Sequence, residues 1–119
     1  MFTNKTNGKK YIGQTNDIEK RKRGHKSESF NSNANGYHLP FHSAIRKYGW
    51  ENFDFTILEE IDDDFGRSYL DEREIYFIDY YKSLTTQNGY NVSEGGGGFN
   101  RPKLSFEEQV KCSKLFTIE

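Results

Sequence analysis

Asn7-Gly8 stands between Phe2-Thr3 and Lys10-Tyr11-Ile12, and no other short stretch constrains the chain as strongly. Asn and Gly tolerate the positive φ that a two-residue hairpin turn demands at both central positions, so two antiparallel strands are expected to open the chain. The second strand should run from about Lys9 to Gln14, while the first has almost no length because only Met1 precedes Phe2. A chain of 119 residues supports one core. At 33% hydrophobic but 16% aromatic residues, that core must be built largely from Phe and Tyr.

After the hairpin, Asn16 can cap a helix with Glu19 at its third position, a capping-box arrangement that predicts helix from Asp17 to about Lys26. On it Arg21 and His25, four apart, share a face with Ile18 and Lys22. Residues 27–38, rich in Ser, Asn and Gly, read as a loop. From Pro40 the spacing of Phe41, Ala44, Ile45 and Tyr48 is helical and stops at Gly49, with Trp50 expected to pack the helix end.

Phe53, Phe55 and Ile57 alternate with Asp54 and Thr56 as a strand would, and Asp62-Asp63-Asp64 then reads as a solvated turn. The clearest helix runs from Leu70 to about Tyr81, with Leu70, Phe77, Ile78 and Tyr81 forming one stripe. Asn88-Gly89 predicts a turn before a short closing strand, Tyr90-Asn91-Val92. Tyr80, Tyr81 and Tyr90 are expected as core and sheet aromatics rather than stacking platforms for bases. Gly95 to Gly98 marks the boundary between a compact unit, 1–98, and a tail, 99–119, in which Ser105 and Glu108 could start a helix.

Net charge is only -1, but it is unevenly spread. Residues 5–26 hold eight Lys and Arg against two acids, whereas residues 51–79 hold eleven acids against two Arg. The basic run reads either as a solvated helix face or as a phosphate-binding footprint. A single cysteine, Cys112, permits no internal disulfide. With no apolar run long enough for a membrane span and no secretion signal, an intracellular, cytoplasmic setting without a membrane partner is expected. His38 and His42 flank Pro40, but without a Cys pair nearby no zinc site is expected.

Glu74 breaks the pattern of the last helix, because it falls inside the apolar stripe while Glu72 and Asp79 lie on the far face. A buried carboxylate needs a partner: either a structural ion pair or a hard divalent cation such as Mg²⁺. Tyr11, Arg21, His25 and an inward Glu74 together suit phosphodiester hydrolysis. A metal-bound Glu polarises the phosphate, Arg offsets charge on the pentavalent phosphorus, and Tyr or His manages a proton.

Lys10-Tyr11-Ile12-Gly13-Gln14-Thr15, then Arg21 and His25, then Ala44 to Gly49 with Asn52-Phe53, then Glu72-Arg73-Glu74 and Asn88-Gly89-Tyr90-Asn91, resemble the GIY-YIG endonucleases, especially the phage and intron homing type. The resemblance implies an α+β fold, a small three-stranded antiparallel sheet flanked by helices, with Tyr90 in the third strand. It implies Tyr11, Arg21, His25, Glu74 and Asn91 as catalytic residues and Glu74 as ligand for Mg²⁺ or Mn²⁺. It also implies double-stranded DNA as partner, no small-molecule cofactor, and a phage or mobile-element setting. Lys10, Lys20, Lys22, Arg23, Lys26, Arg46 and Lys47 are the expected DNA-binding residues.

The family's first motif, Gly-Ile-Tyr, lies just ahead of the residues that align with Met1 and Phe2, where this chain has none. A downstream start, a trimmed chain or a natural fragment would each explain this, and impaired or absent activity is the expectation. The tail from Arg101 is similar to the start of the DNA-binding modules that often follow such a nuclease domain. Two other readings stay open: a non-catalytic DNA-binding module, and an unrelated α+β interaction protein whose acidic stretch is the binding face.

Overall fold

The computed structural model describes residues 1–61, 66–95 and 116–119. Nine elements position the site: β1 (Phe2–Asn4), β2 (Lys10–Tyr11), β3 (Gln14–Thr15), α1 (Ile18–Ser29), α2 (Pro40–Tyr48), β4 (Phe53–Phe55), β5 (Glu59–Ile61), α3 (Gly66–Tyr81) and β6 (Phe116–Ile118). Short 3₁₀ turns, Trp50–Asn52 and Thr85–Gln87, complete the frame. The fold is α+β, as expected.

Hydrogen bonding defines two three-stranded antiparallel sheets, ordered β2-β1-β4 and β3-β6-β5. They lie end to end. Phe2 pairs with Tyr11 and Thr3 with Lys10, while Ile118 pairs with Gln14 and Thr117 with Thr15. Between them Gly13 and Glu119 exchange both backbone hydrogen bonds at 3.0 Å. Counting along the β2–β3 edge therefore sets Glu119 opposite Gly13, Met1 opposite Ile12 and Phe2 opposite Tyr11, with no gap. β6 and β1, from opposite ends of the chain, make one middle strand. On its other edge Thr56 N–H donates to the Met1 carbonyl and Leu58 N–H to the Ile118 carbonyl, both at 2.8 Å.

The middle strand alternates as a strand buried on both faces must. Phe2 joins Phe41, Ala44, Ile45, Phe53 and Tyr90 in one aromatic cluster. Met1 and Ile118 join Ile12, Ile61, Leu70 and Ile78 in the other. The helices α1 and α2 thus cover one face and α3 the other.

Several local expectations are corrected. Only Gly8 takes positive φ in the first turn, at 75°, and the loop closes with Asn4 N–H donating to the Lys9 carbonyl at 2.9 Å and Gly8 N–H to the Asn4 carbonyl at 2.8 Å. The connection is therefore longer than a two-residue turn. Asp17, not Asn16, caps α1, its side chain accepting from Lys20 N–H at 3.1 Å, so Glu19 lies at the second helical position and forms no capping box. The helix also continues to Ser29, into the stretch expected as loop.

The strand beside β1 is Phe53–Phe55, and the Tyr90 segment makes only an isolated bridge, Leu84 to Asn91. The alternation ends at Phe55, leaving Ile57 43% exposed. Tyr80, expected in the core, is 64% exposed. Asp62 to Asp64, Gly96 to Gly98 and the helix start at Ser105 lie outside the described residues. In α2, by contrast, Pro40 starts the helix and Gly49 ends it at φ 93°.

Candidate active site

A cleft of about 320 Å³ opens where β2 meets β3, walled by Tyr11, Gly13, Arg21, Phe41, Glu74 and Asn91 among others. Four of the five expected catalytic side chains, Tyr11, Arg21, Glu74 and Asn91, line it. They come from a strand, two helices and a loop far apart in sequence.

The α3 stripe carries Glu74 inward, where it is 8% exposed beside Ile78 at 1%. The chain returns close to it at Gly95, whose φ is 99°. A Cβ at Gly95 would lie 2.9 Å from Ile78 Cδ1 and 3.2 Å from a Glu74 carboxylate oxygen, so glycine is needed there for backbone geometry and for space.

Tyr11 stacks on Phe41 at 4.5 Å and 7°, and its hydroxyl accepts from Arg21 Nη2 at 3.3 Å. Burial pushes its pKa up, opposed by Arg21 and reinforced by Glu74 and Glu119, so the phenol form prevails. Because Arg21 donates to the oxygen, the phenol proton remains available for another acceptor.

Asn91 is a backbone clamp. Its Nδ2 donates to the Ile12 carbonyl at 2.7 Å and its Oδ1 accepts from Ile12 N–H at 2.9 Å, both buried. The Tyr90–Asn91 segment is tied in further by Tyr90 N–H to the Lys10 carbonyl and Asn91 N–H to the Ser83 carbonyl. Asn91 thus holds the stretch that carries Tyr11 and Gly13 through its side chain rather than through a strand ladder.

His25 is the one expected catalytic residue that does not line this cleft. It is 5% exposed and packs edge-on against Tyr11, Phe2 and Phe41. Its Nδ1 lies 2.8 Å from His42 Nε2, and His42 Nδ1 lies 2.7 Å from the Gly36 carbonyl. A carbonyl only accepts, so His42 Nδ1 donates, His42 Nε2 accepts, and His25 donates from Nδ1. That leaves a lone pair on His25 Nε2, which is buried with no hydrogen-bond partner among the described residues. Burial foremost, then Arg21 and His42, lowers the His25 pKa to about 2, so the ring is neutral.

The face of α1 that carries Arg21 and His25 meets α2 through this imidazole pair. Its partner, His42, could have been suspected from the Arg21-His25 and Phe41-His42 spacings only with the helix packing known.

The basic side chains divide into two groups. Lys20, Arg23 and Lys26 project from α1 exposed, and Lys22 lies 4.0 Å over the Phe55 ring. Lys10 donates to Thr3 Oγ1, and Lys47 lies over Tyr48. Arg46 points elsewhere: it donates to the Ser29 and Tyr37 carbonyls and to Ser43 Oγ, tying α2 to the end of α1.

Glu119 is a residue that no sequence signal indicated. Its side chain is wholly buried and its Oε1 accepts from Arg21 Nε at 3.3 Å. Burial raises its pKa, against the pull of Arg21. The ladder position it fills lies directly ahead of Met1.

Among the described residues no three His, Cys, Asp or Glu side chains form a metal cluster. A single inward carboxylate at an open cleft still fits a magnesium-type ion, which typically takes one or two carboxylates and completes its shell with water and substrate phosphate.

A strand-borne tyrosine, a helix-borne arginine and an inward glutamate thus meet on one cleft. Residues 1–91 match the GIY-YIG catalytic domain, and the chain belongs to the GIY-YIG family of nuclease domains. Nucleases of this family are generally metal-dependent. Among individual proteins the chain is similar to the "Putative endonuclease segE" of Enterobacteria phage T4, 36% identical over 96 residues. That match covers 81% of this chain and 40% of the relative, so the matched part spans well under half of the relative's length. No solved structure matches. Among the described residues no helix is long and apolar enough to cross a membrane.

Proposed function

We propose that the cleft hydrolyses phosphodiester bonds of double-stranded DNA with a Mg²⁺ or Mn²⁺ ion held at Glu74. The observation that carries this reading is the convergence of Tyr11, Arg21, Glu74 and Asn91 on one cleft. Bound at Glu74, the ion would polarise the scissile phosphate and stabilise the leaving oxygen.

Arg21, whose side chain is 38% exposed, offsets the charge that grows on the phosphorus oxygens. Tyr11 meets the diester as a hydrogen-bond donor, because burial favours its phenol form. His25 stays neutral and packs the Tyr11 ring in place. Asn91 fixes the backbone at Ile12. Lys20, Lys22, Arg23 and Lys26 on α1, with Lys10 and Lys47, supply contacts to the DNA backbone, which carry affinity without reading sequence.

Paramagnetic broadening by Mn²⁺ tests the ion's location. Amide signals of Ile12, Gly13 and Asn91 should broaden first, and the Glu74→Gln variant should lose that pattern. Unchanged broadening in Glu74→Gln would overturn the assignment of the ion.

A further inference from the structure

Arg21 sits on a solvated helix, yet its guanidinium is held at two of its nitrogens. Nε donates to Glu119 Oε1 and Nη2 to the Tyr11 hydroxyl, both at 3.3 Å. Glu119 reaches this place because β6 continues β1 in register, so that Glu119 and Phe2 fall on the same face of the middle strand. Opposite Glu119 stands Gly13, where an added Cβ would lie 3.3 Å from Arg21 Nη2 and 3.4 Å from Glu119 Oε1. The missing side chain at Gly13 makes room for the ion pair.

Two further facts separate Glu119 from the reacting groups. Its side chain is fully enclosed, whereas that of Arg21 is 38% exposed. Tyr11, Gly13 and Arg21 line the cleft, and Glu119 does not. A carboxylate behind an arginine cannot meet the substrate, but it can fix which edge of the guanidinium fork faces it. Glu119 Oε2 has no hydrogen-bond partner among the described residues, so the Arg21 contact through Oε1 is the bond that this buried carboxylate relies on.

We infer that β6 is a working part of the site, and that Glu119 is a positioning residue which holds Arg21 through Nε and turns its remaining edge to the cleft. In its effect on catalysis this deepens the nuclease reading and rests on it. The holding itself is a property of the free protein.

The test uses the full chain labelled with ¹⁵N-arginine, the Arg21 Nε–H signal being assigned by its loss in Arg21→Lys. In Glu119→Gln, Arg21 Nε–H should exchange with water about tenfold faster or more, the value of one charge-assisted hydrogen bond. The Gly13 and Glu119-position amides should stay protected. Unchanged Nε–H exchange with those amides protected would overturn the proposal. Loss of their protection would overturn it too, because Glu119 would then hold the strand rather than the arginine.

These arms need neither DNA nor metal, so they stand or fall apart from the nuclease reading. In a nicking assay, Glu119→Gln should lower kcat about tenfold and move KM less than about twofold, as expected for an orienting contact. A raised KM at unchanged kcat would contradict the positioning role, and absence of nicking in the unaltered chain would sink the nuclease reading alone.

Discussion

Lowering the pH should destabilise this domain through His25. The imidazole is enclosed between Tyr11, Phe2 and Phe41, and its pKa falls from the ordinary 6.5 to about 2. In the unfolded chain the ring takes up a proton below about pH 6.5, whereas in the folded chain it stays neutral down to about pH 2. Below pH 6.5 the unfolded state therefore binds more protons, and folding stability falls as pH falls. Each unit is worth about 1.4 kcal/mol, so roughly 3 kcal/mol is lost between about pH 6.5 and 4.5, against a typical total of about 5–15 kcal/mol.

Glu119 works the other way, because its raised pKa makes the folded state the better proton acceptor just above the ordinary carboxyl range. The His25 contribution is therefore isolated by difference. In His25→Gln the amide nitrogen still donates to His42 Nε2, but the titrating group is gone. Urea unfolding of both proteins at several pH values between 7 and 4.5 should give a shallower pH slope for the variant, by about 1.4 kcal/mol per unit. Equal slopes would refute the reasoning, and so would a His25 ring signal in the folded protein that titrates near pH 6.

Three further outcomes are expected. Asn91→Ala strips two buried bonds from the Ile12 backbone, and at about 1–3 kcal/mol for each group left unpaired it should cost roughly 2–6 kcal/mol in denaturant unfolding. Gly95→Ala, strained at φ 99° and crowding Ile78 and Glu74, should lower stability by about 1–3 kcal/mol and weaken Mn²⁺ binding. Lys20→Ala with Arg23→Ala should flatten the plot of log affinity for duplex DNA against log salt by about 2, since each phosphate contact contributes about 0.9. An unchanged slope would assign the basic face of α1 to solvent.

How much of this was legible in the sequence depended on whether a signal was local. α2 could be read because Pro40 and Gly49 act on their own backbone, and their preferences do not depend on distant neighbours. The inward Glu74 could be read because a helix fixes which side chains share a face, and Leu70 and Ile78 on the same stripe are indeed buried. Cap choice failed narrowly: Asn16 and Asp17 are both good caps, and Thr15 decides between them, its hydroxyl accepting from Asp17 N–H at 3.0 Å.

Tertiary pairing was the larger loss. Tyr90-Asn91-Val92 has the composition of a strand, but Asn91 spends its side chain on Ile12 and the segment forms no ladder. The place beside β1 goes to Phe53–Phe55, whose alternation was visible while its partner was not. Nothing near Phe116 in the sequence announces that it starts a strand between β3 and β5. Nor does any short motif link Glu119 to Arg21, 98 positions away. Strand partners are chosen by the whole fold, and one sequence carries little record of them.

The most direct measurement of the central claim is conversion of supercoiled plasmid to nicked circles by the full chain with added Mg²⁺. The account predicts nicking that disappears on chelation, is abolished in Glu74→Ala, and falls at least about 10²-fold in Arg21→Ala. Nicking at one common rate in all three proteins, or at the same rate with the metal chelated, would contradict it.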